Sequence, residues 1–217
     1  MLMPPFVKIY QDGKAIHYDN DGEGNRDFYV SQLDSKQLES LKQFLSKNSY
    51  LQRSRFIDMD GDYINVHGGV SYIRYLDGDK EILLATEVKP KGGPWKELTD
   101  AIFEYVPDDH ENLYYPSSIQ VQTWAQTSED TDQNAEVWSF STKLKLSPKL
   151  KTISDPEIIQ YLFDRLSFIF SFFVWDFKEN DKQYSMALVG APGWFEPDYL
   201  NKALGKVEKN GYRVREK

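Results

Sequence analysis

Cysteine is absent from this 217-residue chain. Its absence excludes disulfides, thiolate metal sites and a cysteine nucleophile. Histidine is scarce: there are three, His17, His67 and His110, and no two have the i, i+4 spacing of a helical metal pair. Positive charge is outnumbered, 26 Lys and Arg against 34 Asp and Glu, giving a net −8 and a pI near 5.0. A general basic surface for nucleic acid is therefore not expected, although a local patch stays open. No apolar run reaches the roughly 20 residues that a membrane-spanning helix needs. The most apolar window, 166–177, contains two serines and an aspartate.

Familiar catalytic signatures are missing too. No Gly-x-Ser-x-Gly elbow occurs, and Lys91-Gly92-Gly93-Pro94 lacks the spacing of a phosphate-cradling loop. Asp58, Asp60 and Asp62 around Gly61, and Asp19, Asp21 and Glu23 before Gly24, resemble parts of a calcium loop. The ligand needed at position twelve is absent: Gly69 and Val30 stand there. These stretches read as solvated turns, so neither a metal site nor a cofactor is expected. Met1-Leu2-Met3-Pro4-Pro5 has no basic n-region, so no signal peptide is expected. The expected location is cytoplasmic; a secreted or envelope-attached chain with its leader removed stays open.

What the chain does contain is aromatic residues, 15 % of the total, with 14 tyrosines and five tryptophans. Such residues suit half-buried pleated faces. Asp12-Gly13 between alternating runs signals a hairpin, because glycine supplies positive φ cheaply. Asp77-Gly78-Asp79-Lys80 repeats the signal between 70–76 and 81–88, and 178–182 separates two further strands. Helices are expected after Asp34 (Leu38, Leu41, Phe44 and Leu45 inward), from Pro94, after Asp155-Pro156, and from an opening at 194–198. Residues 118–125 and 136–146 alternate and predict a third hairpin around a polar loop.

The expectation is therefore α+β, with antiparallel sheets from about four ββα units (6–47, 64–106, 118–166 and 168–209) and helices on one face. Two lobes are expected, 1–110 and 111–217, each holding a ββα pair, because one hairpin with one helix buries too little alone.

Glu87-Val88-Lys89, at the end of an apolar strand, resembles the metal-dependent nucleases with a PD-(D/E)xK core over about residues 69–105. The resemblance implies Mg²⁺ held by Glu87 and by an acid on the partner strand, with Lys89 orienting water or stabilising charge. The partner strand here, Gly69-Val70-Ser71-Tyr72-Ile73-Arg74-Tyr75, carries no acid. Asp77 and Asp79 lie in the turn, and Asp62 would need a long reach.

A second resemblance covers about 6–125. Two Asp-Gly hairpins, each followed by a helix, then Tyr114-Tyr115-Pro116 before a strand, resemble small uncharacterised bacterial domains of lipoprotein type. It implies no catalysis and a cell-envelope location, but the chain lacks a lipobox cysteine. Trp194 and Phe195, just past Gly193, are candidates for an exposed binding patch. The preferred functional expectation is a soluble, non-enzymatic domain that binds a protein partner by a sheet edge or an aromatic patch. The alternatives are a divergent Mg²⁺-dependent nuclease using Glu87 and Lys89, and a sugar- or lipid-binding domain with an aromatic cleft. The last requires several of Trp95, Trp124, Trp138, Trp175 and Trp194 to face one groove.

Overall fold

The Asp12-Gly13 turn folds as its residues demand. Gly13 has φ +87°, and a Cβ there would lie 2.8 Å from the Leu33 carbonyl oxygen, so only glycine fits without displacement. The turn joins β1 (Val7–Ile9) to β2 (Lys14–Asn20), with Ile9 opposite Ala15. β3 (Arg26–Gln32) completes an antiparallel sheet of three. Asp34 then caps α1 (Ser35–Lys47): its carboxylate accepts the Gln37 N–H at 2.7 Å, and the Gln37 side chain accepts the Asp34 N–H at 2.9 Å.

The computed structural model describes residues 6–20, 26–59, 63–65, 71–77, 79–86, 88–107, 112–126, 135–165, 167–169, 172–209 and 213–216. After a 3₁₀ turn (Ser49–Leu51) come β4 (Arg55–Met59), β5 (Tyr63–Asn65), β6 (Ser71–Asp77), β7 (Lys80–Thr86) and β8 (Val88–Pro90). Then follow α2 (Gly93–Glu104), β9 (Ile119–Ala125), β10 (Glu136–Val137), β11 (Leu150–Ile153) and α3 (Pro156–Phe163). The remaining elements are β12 (Ser167–Ile169), β13 (Phe172–Glu179), β14 (Lys182–Gly190), α4 (Pro197–Lys209) and β15 (Arg213–Glu216).

The fold is α+β, but its strands do not pair as four successive hairpins. The expected hairpins form at β1/β2, β6/β7 and β13/β14. The third does not. β9 pairs with β14 and β11, while β10 runs parallel to the end of β13. Trp138 supplies the physical reason. Its ring is 3 % exposed among Phe140, Tyr161 and Phe177, and its indole N–H donates to the Leu144 carbonyl at 2.6 Å. Burying that ring with a satisfied donor turns residues 139–143 out of any strand. The two larger of the four sheets among the described residues are β10-β13-β14-β9-β11, with β12 also on β13, and β15-β4-β7-β6. In the second, β15/β4 and β4/β7 are parallel.

Helices cover both faces of that second sheet rather than one. Ile57, Ile73, Ile82 and Leu84 pack with Trp95 and Leu98 of α2. Phe56, Leu83 and Ala85 point the other way, into a core shared with Leu200, Leu204 and Val207 of α4. The same core contains Ile16 and Phe28, together with Ile119, Val121 and Met186 of the six-stranded sheet and Ile158, Ile159 and Leu162 of α3. Among the described residues no helix is long and apolar enough to cross a membrane.

Leu84 is fully buried, whereas Leu76 in the same hairpin is 46 % exposed. Leu84→Ala is expected to cost about 2–5 kcal/mol in urea unfolding, and Leu76→Ala about 0.5 kcal/mol or less. Equal losses would contradict the burial described for β7.

Candidate functional site

The alternation of β9 decides which side of the six-stranded sheet is available. Ile119, Val121 and Thr123 are fully buried, while Trp124, in phase with Gln120 and Gln122, is 42 % exposed. Neighbouring strands keep this division. Trp175 and Phe177 of β13, and Tyr184, Met186 and Leu188 of β14, face the core. On the outer face Asp176 lies opposite Ser185, and Ser185 opposite Trp124. Ser185 donates to Asp176 at 2.5 Å, and the Gln126 amide nitrogen reaches Asp176 at 2.9 Å and Ser185 at 2.7 Å. These bonds tie three strands together behind the indole.

Among the described residues β11 is the last strand in this sheet. Leu150 lies opposite Gln122 and Thr152 opposite Gln120, so both side chains share the outer face with Trp124. The Thr123 N–H donates to the Lys149 carbonyl at 3.1 Å. In an antiparallel ladder, hydrogen-bonded and non-bonded pairs alternate. Lys149, Lys151 and Ile153 therefore bond to β9, whereas the N–H and C=O groups of Leu150 and Thr152 point away from it. Leu150 is 55 % exposed. This edge, with Leu150 opposite Gln122 and on the face that carries Trp124, is the candidate site.

The residues singled out in the sequence lie elsewhere. Trp194 and Phe195, expected as an exposed patch, are 3 % and 4 % exposed. The turn after β14 carries them inward: Ala191 and Phe195 form an antiparallel bridge, and Trp194 meets Phe28 edge-on with centroids 4.5 Å apart. Glu87 lies outside the described residues, as do Asp60, Asp62 and the side chain of Lys89. The Lys89 backbone pairs with Ile64 in the two-stranded β5/β8 sheet. Ser71 and Tyr72 of β6 stand opposite Thr86 and Ala85, and the acid on that strand, Asp77, pairs with Lys80 at the far end. Among the described residues no group of three His, Asp or Glu is placed to hold a metal. Trp95, Trp138 and Trp175 are 3 or 4 % exposed, so the five tryptophans do not face one groove.

Polar side chains also gather elsewhere among the described residues. Lys8 Nζ and the Tyr10 hydroxyl (2.7 Å) both donate to the Gly193 carbonyl, and Glu196 accepts the Gly193 N–H at 3.1 Å. Burial holds the Lys8 amine below its ordinary range and pushes Tyr10 up. The rings of Tyr10 and Tyr114 already face Lys8 and Lys14. The cluster clamps the 191–196 turn to β1 and leaves its aromatic faces occupied. A groove of about 400 Å³ beside α1 is lined by Ser40, Gln43, Phe44, Lys47 and Asn48. These come from one helix and its cap, so it lacks the facing walls of a ligand pocket.

No protein-family model, no curated protein and no solved structure matches this chain.

Iodide should quench the fluorescence of one tryptophan of the five, and Trp124→Phe should remove that accessible fraction. Undiminished quenching in the variant would contradict the exposure of Trp124. Burial pushes Tyr114 up to about 12. A phenol held neutral in the fold stabilises fully below its ordinary pKa of about 10. That stability is lost as pH rises from there through about 12. Urea midpoints should therefore fall between about pH 10 and 12, and fall less in Tyr114→Phe. An equal fall in both proteins would contradict the assignment.

Proposed function

We propose that this chain is a non-enzymatic binding domain that takes a protein partner as an added strand along β11. The observation that carries the reading is the outward-pointing backbone of Leu150 and Thr152 next to the exposed Leu150 and Trp124 side chains. An unpaired edge offers main-chain hydrogen bonds to an extended segment, and the alternating side chains beside it provide discrimination. The edge is four residues long. It offers few hydrogen bonds, so the partner must gain further contact from the outer face. Ile119, Val121 and Ile153, buried on the inner side of β9 and β11, anchor the edge to the core and keep it in strand geometry.

A random dodecapeptide library selected on the immobilised chain tests the reading without assuming a partner. Thr152→Pro removes an outward N–H and no bond to β9, so it blocks the edge and leaves the ladder intact. Selected peptides should bind this variant at least about fivefold more weakly, the equivalent of one net hydrogen bond of about 1 kcal/mol. Failure to recover any peptide, or undiminished binding to a folded Thr152→Pro chain, would overturn the proposal.

A further inference from the structure

We infer that the segment taken up at β11 alternates acidic and apolar residues. The inference rests on the edge reading above and adds the chemistry of the partner. Between residues 139 and 154 the sequence has four lysines and no Asp or Glu, in a chain whose net charge is −8. Lys143 is committed to Asp155 at 3.2 Å and also to Glu157. Lys149 and Lys145 are exposed and form no ion pair among the described residues. Lys151 donates to the Lys145 carbonyl; burial holds its amine below the ordinary range, Lys149 adds to the effect, and the Glu179 carboxylate opposes it.

Strand geometry divides these groups by face. Side chains alternate along a strand, and directly opposed residues share a face. Lys151 lies opposite Val121, and Lys149, two residues earlier, falls in the same phase. Leu150 and Thr152 occupy the other phase, with Gln122 and Gln120. A strand added beyond β11 inherits this division. One set of its side chains falls in the phase of the exposed Lys149 and the half-buried Lys151, and the alternate set meets Leu150 on the face that carries Trp124. Acids in the first phase relieve lysines crowded against one another, and apolar residues in the second cover exposed carbon. A second copy of this chain fits badly. Antiparallel pairing of two β11 edges would gather the lysines of both copies on one face. A nucleic acid would meet the lysines but has no backbone to continue the ladder.

Labelled eight-residue peptides test this on the intact chain by fluorescence anisotropy. One alternates Glu and Val, one alternates Lys and Val, and one has four Glu followed by four Val. A single-stranded oligonucleotide is the fourth probe. The alternating Glu/Val peptide should bind, and the other two peptides should bind at least about tenfold more weakly, since like charges face each other or the phase is lost. Lys149→Glu should weaken the Glu/Val peptide about tenfold and strengthen the Lys/Val peptide. Lys145→Glu, at a second exposed lysine, should act in the same direction. Equal binding of the Glu/Val and Lys/Val peptides, both lost in Thr152→Pro, would overturn the acidic preference and leave the edge reading standing. The acidic preference is overturned in the same way if neither peptide binds while library peptides still depend on the edge. Binding of the Glu/Val peptide that Thr152→Pro leaves untouched would overturn the edge reading itself. Lys149-dependent binding of the oligonucleotide with no peptide bound would replace the proposal by a nucleic-acid contact.

Discussion

Residues 82–86 of β7 are almost wholly withdrawn from water, each 2 % exposed or less. Successive side chains leave opposite faces of a strand, so such a run forces a layer on both sides. Ile82 and Leu84 require α2 on one side; Leu83 and Ala85 require α4 and the larger core on the other. The rest of the molecule follows from that demand. α4 is delivered by the turn that buries Trp194 and Phe195, and Lys8 and Tyr10 hold that turn to β1. The chain then returns along β4 as β15. The six-stranded sheet shares the same core, but only one of its faces is needed there. Its other face, and its last edge, are left over.

The spare face gives the protein its candidate chemistry. An edge strand with unused backbone groups invites pairing with another chain, and proteins usually shorten such edges or charge them. β11 shows both devices: it has four residues, and lysines bracket Leu150. Under the proposed strand addition, the same lysines that discourage self-association would also select the sign of a partner. Protection against the wrong strand and choice of the right one are then a single electrostatic arrangement.

Local signals were legible in the sequence. Asp12-Gly13, the Asp34 cap and Asp155-Pro156 each state their structure within a few residues, and all three form as expected. The alternation of 118–125 was legible as well, but not which of its two faces meets solvent. What could not be read was pairing between distant segments. β9 pairs with β14, far along the chain, and β15 joins β4 in parallel, with no turn chemistry to announce either. Lys149-Leu150-Lys151 carries no strand signal, because a short edge strand with charged residues has almost no propensity signature. Trp194 and Phe195 misled because a glycine turn gives no sign of whether it swings its aromatics outward or into a core. The Glu87-Val88-Lys89 motif lies partly outside the described residues, and its expected acid is absent from the middle of β6.

Strand addition at this edge depends on one asymmetry in β11: Lys151 and Ile153 bond to β9, while Leu150 and Thr152 do not. Amide hydrogen exchange resolved by residue measures this directly. The Leu150 and Thr152 amides should exchange rapidly, and those of Lys151 and Ile153 slowly, in strict alternation. Equal protection of all four would mean that something already covers the edge, and strand addition there would be ruled out.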